Sequence, residues 1–82
     1  MHDLGSIPVP VPYATMVQMN KLRAWAKRNN TTVNVSRYAK DAYTGTIRIL
    51  SPWNEGIEKT RAKATDLRAL MESLDIIRTK EH

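Results

Sequence analysis

Apolar residues recur along this 82-residue chain with two different periods, and the changes of period mark its elements. From Tyr13 or Ala14 to Asn29-Asn30, spacing at 100° per residue puts Thr15, Met19, Leu22 and Ala26 on one stripe, with Met16 and Trp25 at its edges. The opposite side collects Asn20, Lys21, Arg23, Lys27 and Arg28. This predicts an amphipathic helix, ended by asparagines that tolerate a left-handed backbone. The period then drops to two. Val33 and Val35 alternate with Thr32, Asn34 and Ser36, and Ile47 and Ile49 flank Arg48. Between these runs, Asp41 is suited to start a turn and Gly45 to end it, so a β-hairpin is expected. Val33 and Val35 align with Ile47 and Ile49 only if a bulge absorbs the mismatch with that turn.

A second helical period is the strongest in the chain. Ile57, Thr60, Ala64, Leu67, Leu70, Met71, Leu74 and Ile77 form one stripe over about six turns, reaching Thr79. Ser51 as cap before Pro52, or Asn54, is its expected start. Ahead of everything, residues 5–12 read Gly-Ser-Ile-Pro-Val-Pro-Val-Pro. Proline at alternate positions removes backbone donors and holds the segment extended. Residues 1–12 are therefore read as a Pro-rich leader, laying Ile7, Val9 and Val11 along a single domain at 13–82.

The order helix, antiparallel hairpin, long C-terminal helix defines a small α+β fold with both helices on one face of the sheet. Met19, Leu22, Trp25 and Ala26 should pack against Leu67, Leu70, Met71, Leu74 and Ile77, with Val33, Val35, Ile47 and Ile49 beneath. A two-stranded sheet is marginal alone. Its open edges invite a third strand, from residues 5–12 or from another copy. Composition agrees: eight of the apolar residues are alanine and phenylalanine is absent. The core should be thin, with a homo-oligomer or a stable partner completing it.

Length and composition exclude a large catalytic domain, a dinucleotide-binding fold and a transmembrane chain, since no apolar run approaches the roughly 20 residues that span a bilayer. Cysteine is absent, so disulfides and thiolate metal sites are excluded. With no signal-peptide pattern after Met1-His2-Asp3-Leu4, a cytoplasmic setting is expected. Catalytic groups are scarce. His2 and His82 stand at opposite ends, and neither a nucleophile elbow nor a phosphate loop is present. Asp41, Glu55 and Glu58 are the one carboxylate set considered for a divalent ion; a solvated loop and a favourable helix N-terminus account for them better. The expectation is a non-enzyme without metal or cofactor.

Charge is the informative property. The net charge is +5, yet residues 21–63 alone carry ten basic side chains against three acidic ones. The candidate surface comprises Lys21, Arg23, Lys27 and Arg28 on the first helix, Arg37 and Arg48 on the hairpin, and Lys59, Arg61 and Lys63 on the second helix. Tyr38, Tyr43 and Trp53 are available beside it for base stacking. Concentrated positive charge points to nucleic-acid phosphates or to an acidic protein surface.

A helix, a short sheet and a final helix starting near Lys59-Thr60-Arg61-Ala62-Lys63 is similar in outline to double-stranded-RNA-binding domains. There, a lysine-rich start of the final helix spans phosphates. The chain departs from that pattern in showing two strands rather than three and in lacking the loop glycine and the lysine pair. Two functions are expected to compete. One is a module gripping nucleic-acid backbone phosphates through helix one and the hairpin. The other is a small accessory protein, of the sort phages and mobile elements encode, that binds and inhibits a larger host protein or complex.

Overall fold

The third strand comes from the leader. The computed structural model describes residues 3–29, 31–52 and 54–78, arranged as β1 (Asp3–Ala14), α1 (Met16–Arg28), β2 (Thr31–Ala39), β3 (Ala42–Pro52) and α2 (Ile57–Ser73). β3 is central in an antiparallel sheet of order β1-β3-β2. The Pro-rich segment read as a leader is thus an edge strand, with Ile7 opposite Ile49, Val9 opposite Ile47 and Val11 opposite Gly45. Pairing with so many prolines works because Pro8, Pro10 and Pro12 share one parity. Proline has no N–H, so Pro8 and Pro10 occupy the non-hydrogen-bonded pairs, Pro12 falls in the irregularity after Val11, and Ile7, Val9 and Val11 carry the ladder. Strand alternation then turns the peptide groups of Thr46 and Arg48 toward β2. Thr32, Asn34 and Ser36 take those bonds, since they lie opposite Arg48, Thr46 and Thr44. The third strand also lies ahead of α1 rather than between the helices, which departs further from the double-stranded-RNA-binding outline.

The hairpin register is Thr31 opposite Ile49, Val33 opposite Ile47 and Val35 opposite Gly45, so the expected pairing of both valines with Ile47 and Ile49 does not form, and an irregularity lies between Arg37 and Ala39. Its turn is Lys40–Asp41, so Gly45 does not close it. Gly45 lies within β3, where a β-carbon would strike the carbonyl oxygen of Asn34 and come 2.5 Å from the Val35 Cα. Close backbone approach, not turn geometry, requires glycine here.

α1 begins at a capping box: Thr15 Oγ1 accepts from the Gln18 amide at 3.2 Å, and Gln18 Oε1 accepts from the Thr15 amide at 2.8 Å. The Met16 amide donates to Asp41 Oδ1 at 2.7 Å, which ties the helix to the hairpin turn. At the other end, Thr31 Oγ1 donates to the Ala26 carbonyl at 3.3 Å, so α1 runs back along β2.

α2 starts with its stripe at Ile57, later than the expected caps, and stops earlier than its periodicity suggests. Ser51 and Pro52 finish β3, with Ser51 buried on the same face as Ile47 and Ile49. The helix instead begins after Gly56, whose φ of 85° suits the residue without a side chain. It ends at Ser73 rather than Thr79, which lies outside the described residues. There the chain reverses: Asp75 takes φ 64°, its amide bonds the Glu72 carbonyl at 3.1 Å, and the Ile76 amide bonds the Met71 carbonyl at 2.9 Å. This Schellman closure folds Ile76 back into the core.

Both helices lie on the sheet face bearing Val9, Val11, Ile47 and Ile49, α2 over β1 and β3, α1 over β2. Met19, Leu22, Trp25 and Ala26 are buried with Ala64, Leu67 and Met71, while Val33, Val35, Leu70, Leu74 and Ile77 pack half-buried around them. Trp25 Nε1 donates to Asp66 Oδ2 at 2.8 Å, and Gln18 Nε2 to the Leu74 carbonyl at 2.7 Å, joining α1 to α2. Pro8, Pro10, Thr46, Arg48, Thr32 and Asn34 share the opposite face, which no element covers among the described residues. The overall extents are 39 × 32 × 17 Å, those of a two-layer slab. No described helix is long and apolar enough to cross a membrane.

Candidate anion-binding surface

The nine candidate cations do not share one surface. On α1, residues 23 and 27 are one turn apart on the flank facing β2. Residues 21 and 28 lie on the other flank with Trp25, whose indole reaches across to α2. Arg37 is opposite Tyr43 in the ladder, at the turn end of β2. Arg48 points from the uncovered sheet face, where its Nη1 donates to Ser6 Oγ at 3.4 Å. Lys59 and Arg61 are exposed on α2. Lys63 is half-buried and pairs with Glu55 at 3.7 Å, the one ion pair among the described residues. A single flat partner therefore cannot touch all nine.

Where α1 overhangs β2, however, charge meets a cleft. Arg23, Ala26, Lys27, Thr31, Val33 and Val35 line a cavity of about 310 Å³. A second depression of about 410 Å³, lined by Asn20, Arg23, Ala24 and Lys27, shares both cations. The floor is apolar, the rim is basic, and among the described residues no carboxylate lines either one. Arg23 is oriented by Tyr43, its guanidinium carbon lying 5.8 Å from the ring centroid. Such a contact contributes about 0.5–1 kcal/mol at an exposed site.

That geometry changes the reading of the aromatics. Tyr43, expected at the hairpin tip and free to stack on bases, is half-buried against the core and serves as a platform for Arg23. The tip itself is the Lys40–Asp41 turn, so Tyr43 sits inside β3 and its ring joins the packed face. Tyr38 is 61% exposed beside the bulge. Trp53 lies outside the described residues, as do His2 and His82. Of the carboxylates weighed for an ion, Asp41 caps α1 at one end of β3 while Glu55 and Glu58 follow its other end. No group of three His, Cys, Asp or Glu side chains is placed to hold a metal among the described residues.

Sequence reasoning missed Thr31, Val33 and Val35 as part of this site, taking the valines only as core. The signal was present in the proline parity of β1. It fixes which peptide groups of β3 face β2, and hence that Thr31, Val33 and Val35 turn theirs outward. Comparison with protein-family models, curated proteins and solved structures finds no match for this chain.

Proposed function

We propose that the protein is a small non-enzymatic binding module that grips nucleic-acid backbone phosphates through the cations of α1. One observation carries this reading. Lys21, Arg23, Lys27 and Arg28 are all exposed, and none has an acidic side chain within ion-pair distance among the described residues. α1 contains no acidic residue of its own. Like charges one turn apart repel by a few tenths of a kcal/mol per pair, and bound phosphates relieve that repulsion while releasing counterions.

The test is the double reversal Lys21→Glu with Arg28→Glu, which leaves the cleft residues untouched. Circular dichroism should be unchanged. Fluorescence anisotropy on generic duplex and single-stranded oligonucleotides should show weakened binding. The log–log salt slope should shrink by roughly one unit per lost phosphate contact. Full binding by the folded double variant removes the Lys21 and Arg28 flank from the phosphate surface, and full binding by a folded variant with all four α1 cations reversed removes α1. A protein partner is the second reading, favoured by the open strand edge that borders Arg23 and Lys27.

A further inference from the structure

The two edges of the sheet are finished differently. On β1, Pro8 and Pro10 present nitrogens without hydrogens to the outside, so from Ile7 to Val11 the edge offers acceptors only. On β2, the outward peptide groups belong to Thr31, Val33 and Val35, each with both donor and acceptor. These same three residues line the cleft beneath Arg23 and Lys27. A strand added to β2 would therefore pair with residues whose side chains floor the cleft, while its own side chains on the helix side reach the two cations.

We infer that the β2 edge and the α1–β2 cleft form an acceptor for an extended acidic peptide segment, which adds as a fourth strand and sets alternate carboxylates against Arg23 and Lys27. This goes beyond phosphate binding and shares two of its cations. The spacing agrees. Arg23 and Lys27 are four residues apart on a helix that runs along β2, an axial rise of about 6 Å. Two residues of strand advance about 6.7 Å, so carboxylates at alternate positions meet successive cations. Charge selects the occupant. Pairing two copies through β2 would bring two sets of Arg23 and Lys27 to the same face of one continuous sheet, whereas an acidic strand neutralises them.

The probe is an acetylated, amidated octapeptide of alternating threonine and glutamate. Controls replace glutamate with lysine or cluster the glutamates at one end. In the full-length protein, amide hydrogen exchange followed by NMR should show new protection at Thr31, Val33 and Val35 on adding the alternating peptide. Arg23→Glu and Lys27→Glu should each weaken binding by roughly tenfold. Val33→Pro removes an outward donor without touching the internal ladder and should also weaken it. Should that variant misfold, the charge reversals and the amide map still decide. Lys21→Glu with Arg28→Glu should leave peptide affinity intact, which separates this site from the phosphate surface. Protection elsewhere, or equal affinity for clustered and alternating peptides, overturns the inference. So does protection of the same amides by an oligonucleotide but not by peptide, or in the protein alone as its concentration rises.

Discussion

β1 and β2 flank the same central strand, yet opposite chemistries keep each in place. Three of the five residues from 8 to 12 of β1 are proline, and its internal bonds survive because there the alternate Ile7, Val9 and Val11 face β3. Its apolar residues are driven inward beneath α2, where Val9 and Val11 are almost completely buried. β2 has a conventional β-branched sequence but is only half-buried, with α1 overhanging it incompletely. The strand with poor intrinsic propensity is thus the better covered, and the strand with good propensity is left accessible. Propensity follows how a residue fits a pleated surface, while burial follows which helix lies above.

That contrast breaks most severely through α2. Leu67 is fully buried where α2 packs on β1 and β3, and Leu67→Ala should lower stability by about 2–5 kcal/mol in chemical denaturation. A loss below about 0.5 kcal/mol contradicts the described packing. Gly45→Val attacks the other side. Its β-carbon meets the Asn34 carbonyl and Val35, so about 3 kcal/mol should be lost. Exchange measurements should find β2 amides deprotected more than those of β1. The smallest effect on stability sharpens the comparison most. Replacing Pro8, Pro10 and Pro12 together with threonine restores outward donors on β1. Light scattering should then detect more self-association than the parent shows at equal concentration, with stability shifted by about 1 kcal/mol or less.

Elements with one clear period were legible in the residues alone: the buried stripe of α1, the paired runs of β2 and β3, and the middle of α2. Their ends were not. Ser51-Pro52 resembles a helix start locally, but Ser51 continues the inward face of β3, and tertiary pairing prevails over capping preference. The stop at Ser73 depends on Asp75 adopting a conformation more usual for glycine or asparagine. β1 was legible only as one of two possible sources of a third strand, because proline argues against a strand unless its parity is considered together with a partner's register. The nine candidate cations could be named from the residues, but their division between two flanks of α1, the hairpin, the uncovered sheet face and α2 depends on which side of each element meets the core.

Asp41 has a kinetic consequence. It belongs to the hairpin turn, yet its carboxylate holds the first turn of α1, 25 residues earlier in the chain, and its carbonyl accepts from the Tyr13 hydroxyl at 3.5 Å. Closing a loop of that length costs chain entropy before the contact forms, so Asp41→Ala should slow folding only if the helix start and the turn dock early. In the native state the two should also open together, as one cooperative unit with a shared exchange rate. Fluctuations of the β2 edge near the turn are then timed by the fraying of a helix rather than by the strand itself.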